Sequence, residues 1–255
     1  EDLLLQRVVA VKMLLPHVRG NADAAERLRR EGFAMARVNH PSVAPVIDVG
    51  SLEDGSPFLV MERLVGESLF ERIVQRGKLP IADAVDVTMQ LLSGLSAIHD
   101  AGLVHRDVKP ANVFLLPREG HAPLVKIIDF GAATLLGQDA PAADGPLTAD
   151  GLVMGTPSYL SPEQVRGDRD FYPSVDIYAT GVVLYEMLTG KLPFEAIHVV
   201  PLFYSIVEDP VPSIREKRPE VPNALEAVVL SALAKNRRDR PASAIEMQSL
   251  LVAAM

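Results

Sequence analysis

The run His105-Arg106-Asp107-Val108-Lys109-Pro110-Ala111-Asn112, followed by Asp129-Phe130-Gly131, brings a carboxylate, an ammonium, an amide and a second carboxylate into one short stretch of chain. Moving a phosphoryl group from ATP to a hydroxyl calls for these side-chain types. The acceptor must be held in line beside a carboxylate that can take its proton, and cations must neutralise the phosphate oxygens. Asp107 suits the first task and Lys109 the second, while Asn112 and Asp129 offer the hard oxygen ligands that Mg²⁺ prefers. Gly131 allows a sharp backbone turn just past the metal.

These residues need elements to hold them. The apolar segment Val8 to Leu15 ends at Pro16 and reads as a buried strand with one polar exception, Lys12. Asn21 or Asp23 is placed to cap a helix running to Val38, on which Leu28, Met35 and Val38 share a face with Glu31, so a carboxylate is offered to the apolar side. Strands are expected over Val43 to Val49 and Phe58 to Met61, separated by the turn-like Glu53-Asp54-Gly55-Ser56-Pro57. From about Leu69 the apolar spacing is helical, with helices predicted over Ile81 to Ala101, Val175 to Thr189, Leu225 to Lys235 and Ala242 to Ala254. Short strands near Val113 to Leu116 and Val125 to Ile128 interrupt the run and set the chemical residues on loops beside a small sheet. The one segment with a flexible-loop composition, Gly137 to Gly151, follows directly.

The whole-chain properties restrict the function classes. With 255 residues the chain is long enough for one domain of two lobes or two small domains. The absence of Cys excludes disulfides, thiolate metal sites and a cysteine nucleophile, and fits a reducing cytosol. A net charge of −8 does not favour nucleic acid or an anionic membrane as partner, and the basic groups Arg27 to Arg30 and Lys235 to Arg240 are local. Charge or proline interrupts each long apolar stretch, so no membrane span is expected. The stretch Pro201 to Pro212, with Val199, Val200, Leu202, Phe203 and Tyr204, is open to two readings, core packing or an exposed docking patch.

The combined pattern resembles the protein-kinase superfamily, and most closely the bacterial eukaryotic-like Ser/Thr kinases, over nearly the whole chain. Val9-Ala10-Val11-Lys12 resembles the family's strand with the phosphate-binding lysine, and Arg30-Glu31 ahead of His40-Pro41 resembles its helix glutamate. The resemblance implies a Lys12–Glu31 ion pair and Met61 as gatekeeper. It also implies adenine bonded to the backbone of Glu62 and Leu64 and sandwiched by Ala10 and Phe114. An apolar column of Val46, Met35, Phe130 and His105 would align the lobes. Gly155 to Glu163 resembles the end of an activation segment, with Ser161 where the family usually has Ala. There Glu163 would pair with Arg240, and Asp176 would receive backbone N–H groups from the catalytic loop. Lys109 and the Gly-Thr-Pro run point to Ser or Thr acceptors.

The architecture so implied is α+β and bilobal. Residues 1–61 form a small antiparallel-sheet lobe that is incomplete at its N-terminus, 62–68 a hinge, 69–255 a helical lobe, and 129–163 the activation segment, all one catalytic domain spanning 1–255. The implied function is a Ser/Thr protein kinase using ATP and Mg²⁺, with Mn²⁺ as a substitute, acting on protein substrates and on its own activation segment in a homodimer. Arg106 would meet a phosphate there, with Thr148 the preferred phosphosite and Thr156 a second that packs beside Asp107 and Lys109. The expected location is the cytoplasm, either free or as the cytosolic domain of a membrane-anchored protein. The family's glycine-rich loop does not fit into the 11 residues before Lys12, so it is expected to precede Glu1. Two alternatives remain, a scaffold module of the same fold without turnover and a small-molecule phosphotransferase. Lys12, Asp107, Asn112 and Asp129 argue against the first, and the peptide-docking run Gly155 to Glu163 against the second.

Overall fold

The computed structural model describes residues 8–15, 19, 21–129, 134–135, 157–168 and 172–255. Strand β1 (Val9–Met13), helix α1 (Ala22–Ala36), β2 (Val46–Ser51) and β3 (Pro57–Glu62) make up the smaller part. The larger part opens with β4 (Glu67–Ser68), α2 (Leu69–Arg76), α3 (Ile81–Asp100), β5 (Leu103–Val104), β6 (Val113–Arg118), β7 (His121–Ile127) and β8 (Thr134–Leu135). It closes with α4 (Pro162–Arg166), α5 (Ser174–Thr189), α6 (Val199–Val207), α7 (Ile214–Lys217), α8 (Asn223–Ala232) and α9 (Ala244–Ala253). The fold is α+β and bilobal.

In the small lobe the sheet order is β1-β3-β2, antiparallel throughout, with Ala10 opposite Met61 and Lys12 opposite Leu59. Of the two cap candidates the structure uses Asn21, whose side chain accepts from Ala24 N at 3.0 Å. Leu28, Glu31, Gly32 and Met35 then fall on the buried face of α1 by helical period. Gly32 lets the helix lie close to the sheet, because a Cβ there would collide with the Leu59 side chain. Glu31 is thereby brought within reach of β1.

Helix α3 is the main beam of the large lobe, burying Ala84, Val87, Leu91, Leu95 and Ile98 against α5, α9 and β7. Each fully buried leucine there contributes about 2 kcal/mol. By length and mean hydropathy (1.3) α3 passes for a membrane span, which corrects the expectation that no stretch would. Its few charges lie near its ends and at Asp86, so its middle is uncharged and mostly apolar, and the structure packs that middle as a core helix. Helix α5 is buried almost all round and stops at Gly190, whose left-handed φ of 72° ends the helix. Helix α6 divides the Pro201 to Pro212 stretch by face: Leu202 and Ile206 pack with Phe194, while Val200 and Tyr204 are exposed.

Two strands begin elsewhere than their apolar runs suggest. Val43 to Pro45 do not belong to β2: Val43 forms a parallel bridge with Ile127, Ala44 N donates to Ile127 O at 2.9 Å, and Ile127 N donates to Ser42 O at 2.8 Å. Pro45 has no N–H to give a ladder, so β2 starts one residue later. Strand β7 starts at His121 rather than Val125, because its place at the edge of the β4-β6-β7 sheet tolerates Pro123. The bridge at Val43 ties the loop after α1 to the large lobe, and Gly94 of α3 presses against it, with a Cβ there only 3.1 Å from Ser42 O.

Candidate active site

Lys12 reaches from β1 to two carboxylates, with Nζ 2.6 Å from Glu31 Oε1 and 2.7 Å from Asp129 Oδ1. Glu31 is the more enclosed of the two acids, and Asp129 faces the cleft. Burial alone would lower the Lys12 ammonium, but the two carboxylates more than offset it and hold its pKa above the ordinary value. Asp129 follows β7 with a φ of 66°, a left-handed conformation that a short polar side chain tolerates better than a bulky one.

Across the cleft, the turn between β5 and β6 gathers the other polar groups around Asp107. Lys109 Nζ lies 2.9 and 2.7 Å from its two carboxylate oxygens. Asn112 Nδ2 donates to both Asp107 O and Asp107 Oδ2 at 2.9 Å. With the amide nitrogen so engaged, Asn112 turns its carbonyl oxygen to other use. A 3₁₀ turn over Pro110–Asn112, with Asn112 N on Lys109 O at 2.9 Å, sets this spacing. Ile128 N donates to Asn112 O at 2.9 Å and so places Asn112 beside the residue that precedes Asp129.

Beneath the turn, Asp176 at the start of α5 is fully buried. Its Oδ2 accepts from His105 N at 2.9 Å, its Oδ1 from Arg106 N at 2.8 Å, and His99 Nε2 lies 2.8 Å from Oδ2. Burial would push this carboxyl up, but the bond from His99 and the charges and N–H groups around it reverse the effect and hold it below the ordinary value. Two adjacent peptide N–H groups on one carboxylate fix Arg106 at a φ of 69°, and with it the direction in which Asp107 leaves the turn. His105 is wholly buried, which pushes its ring pKa down and keeps it neutral.

Glu163 and Arg240 form a second, closed arrangement, with guanidinium nitrogens 2.7 and 2.8 Å from the two carboxylate oxygens. Arg240 also donates to Ala234 O and Ser174 O, at 2.8 and 3.0 Å. Burial would raise the Glu163 carboxyl, yet Arg240 outweighs it and its pKa is lowered.

The residues expected to flank adenine come from both lobes and the connector. Ala10 on β1 and Phe114 on β6 are both half-buried and belong to different lobes. Met61 and Glu62 end β3, and Leu64 lies in the connector, which is pressed so closely on β6 that a Cβ at Gly66 would collide with the Leu115 carbonyl. Met35 and His105 are fully buried and Val46 partly so. Phe130, Gly131, Thr148 and Thr156 lie outside the described residues.

Three contributors carry no signal in the motif spacing. Gln164 Nε2 donates to Arg106 O at 3.1 Å, while its Oε1 caps Ser161 N at 2.9 Å, so one amide joins α4 to the turn that holds Asp107. Lys126 links Val43 O and Glu62 Oε2, at 3.4 and 3.5 Å. Tyr159 OH donates to Glu186 Oε2 at 2.7 Å and fixes the chain just before α4.

Fold and site together define a two-lobed protein-kinase architecture. The protein kinase domain family model matches residues 4–251. The chain is 40 % identical over 247 residues to the serine/threonine-protein kinase pkn3 of Myxococcus xanthus, covering 95 % of this chain and 44 % of that protein. It is 40 % identical over 253 residues to the probable serine/threonine-protein kinase PknB of Corynebacterium glutamicum, covering 96 % and 38 %. The crystal structure of the Mycobacterium tuberculosis PknI kinase domain shares the fold, with a TM-score of 0.71 at 24 % identity over 96 % of this chain and 84 % of that one. The chain belongs to the protein kinase domain family, and it spans less than half the length of the two curated relatives named.

Proposed function

We propose that the chain is the catalytic unit of a Ser/Thr protein kinase that transfers the γ-phosphoryl group of MgATP to Ser or Thr hydroxyls of proteins. The observation that carries this reading is Asp107, partly exposed to the cleft, with Lys109 at 2.7 Å and Asn112 at 2.9 Å, facing a Lys12–Asp129 contact of 2.7 Å on the other side. Asp107 orients the acceptor hydroxyl and takes its proton. Lys109 balances the charge that passes between acceptor and phosphate. Lys12, held by Glu31, positions the phosphates, and Ala10, Met61, Glu62, Leu64 and Phe114 enclose the adenine.

The donor set fits a magnesium ion bound with nucleotide. Among the described residues no group of three or more His, Asp or Glu side chains could hold a metal by itself. Mg²⁺ is commonly bound through one or two protein oxygens plus substrate phosphates, which Asp129 and the Asn112 carbonyl oxygen supply. When bound, the ion neutralises charge developing on the phosphate oxygens. A need for ATP argues for a cytosolic location.

On this reading residues 1–61 and 69–255 are the two lobes, 62–68 their hinge, and 129–163 the activation segment. That segment is phosphorylated between two copies of the chain, with Thr148 the preferred site, Arg106 receiving the phosphate, and Thr156, the second candidate, packing beside Asp107 and Lys109. Glu163, Asp176 and Arg240 anchor the segment and turn rather than touch the reacting atoms. The test is incubation of the intact protein and an Asp107→Asn variant with labelled MgATP, followed by mapping of the label. Label on Ser or Thr in the native protein, at least about 10³-fold reduced in the variant, is expected. Label equal in both would overturn the assignment.

A further inference from the structure

Within the basic group Lys235 to Arg240 only Arg240 has a role so far, as the anchor of Glu163. Lys235, Arg237 and Arg238, in the turn after α8, line a cavity of about 590 Å³ together with Arg166 at the end of α4. Asp168 and Glu208 line it too, and Glu163 in its wall is already committed to Arg240. Among the described residues none of the four cations is in an ion pair, so the cavity holds an excess of positive charge in a chain whose net charge is −8.

Two of these cations are held in place. Lys235 Nζ donates to Ser205 O and Ile206 O, at 3.0 and 2.6 Å, and sits 4.1 Å over the Phe194 ring. An ammonium has three N–H bonds, so one is left. The Arg237 guanidinium stacks 4.3 Å over Tyr172. Burial pushes the Lys235 pKa down to about 8; Asp209 and Glu208 oppose the fall and Arg166 and Arg240 add to it, so a further anion placed here would favour the charged ammonium.

We propose that this cavity docks a phosphorylated Ser or Thr side chain of a protein substrate, so that one phosphate already present promotes phosphorylation at a second hydroxyl. The proposal rests on the kinase reading above, since it takes the product of that reaction as its ligand. A phosphoryl group is close to a dianion at neutral pH with three acceptor oxygens, and guanidinium groups meet it in paired hydrogen bonds. Connection to the reaction centre runs through the wall itself, because Glu163 precedes Gln164, whose amide bonds to the Arg106 carbonyl next to Asp107.

Binding is tested with the intact protein carrying Asp107→Asn, so that turnover plays no part. The probes are a fluorescein-labelled Gly/Ala-rich peptide with one phosphothreonine, the same peptide unphosphorylated, and inorganic phosphate as competitor. We expect the phosphopeptide to bind at least ~10-fold more tightly than its unphosphorylated form, and the Lys235 pKa to rise on binding. The preference should vanish in R166Q/R238Q, two exposed positions at which circular dichroism should show an unchanged fold. Equal binding of the two peptides overturns the proposal, as does a preference that survives R166Q/R238Q. Inorganic phosphate that fills the site as tightly as the phosphopeptide does overturns the peptide assignment. If the label-mapping test fails while phosphopeptide binding holds, the reaction is wrong and the docking site stands.

Discussion

Two cation–carboxylate contacts bracket the catalytic turn, and they are built for opposite ends. Glu163 and Arg240 are almost wholly excluded from water (side-chain exposures of 6 % and 0 %) and paired through both oxygens. Lys12 keeps 33 % exposure and divides itself between Glu31 and Asp129, which belong to different lobes. A closed pair costs much to break, because the abandoned charge stays buried. The Lys12 contact with the half-exposed Asp129 is hydrated on both sides and costs little to release, while Glu31 stays enclosed beside the ammonium. The first contact therefore belongs to the architecture, and the Lys12–Asp129 half of the second can open, as the proposed phosphate binding requires.

Removing one partner at each site tests that contrast. Arg240→Met strands the Glu163 carboxylate, and a stability loss of about 3–5 kcal/mol in urea unfolding is expected. A loss no larger than that of Lys12→Met would place the pair in the same category as Lys12. Lys12→Met also leaves a buried carboxylate, but burial already raises the Glu31 pKa and favours its taking up a proton, so a stability loss smaller than that of Arg240→Met is expected, with phosphate transfer lowered by about 10²–10³-fold. Native-like transfer in this variant would show that Lys12 does not touch the phosphates. Gln164→Glu gives a finer discrimination, since a glutamate still caps Ser161 but cannot donate to Arg106 O. About a five-fold fall in kcat with unchanged KM and Tm is expected, the worth of one neutral hydrogen bond. If Gln164→Ala and Gln164→Glu behave alike in kcat but differ in Tm, the two roles of this amide are separable as described.

The smallest effects are the pH slopes, which should have opposite signs. Glu163 has a lowered pKa in the fold, so its contribution is present above the unfolded value near 4.5 and disappears as pH falls through the folded value. Lys12 has a raised pKa, so its contribution is present below the unfolded value of 10.5 and disappears as pH rises through the folded value. Tm measured from acid to alkaline pH should lose part of its acid slope in Glu163→Gln and part of its alkaline slope in Lys12→Met. A loss on the same side in both variants would contradict the comparison.

What could be read in the sequence follows from the reach of each interaction. Asp107, Lys109 and Asn112 sit in one turn, and Glu31 shares a face with Leu28 and Met35 by the helical period, so short-range spacing reveals them. The Lys12 strand is legible because a lone charge interrupts an apolar run. Gln164 to Arg106, His99 to Asp176 and Lys126 to Val43 join residues far apart in the chain, and nothing in local pattern marks a glutamine, a histidine or a lysine for such reach. The edge strand β7 hides its first half behind Pro123, and α3 imitates a membrane helix because a core helix surrounded by other elements is apolar for the same reason. In each case tertiary surroundings decide what composition leaves open.

The Val43–Ile127 bridge has a mechanical consequence. Because Ser42 and Ala44 are both bonded to Ile127, the end of α1 is hinged on the large lobe rather than carried with the small one. Glu31 lies five residues before the end of that helix, roughly 8 Å at 1.5 Å per residue. Helix α1 is thus a lever with its fulcrum at Val43, and Glu31 is its working point. Anything that pushes on the far end near Asn21 would be felt at Lys12 as a swing of one carboxylate, without the lobes having to separate.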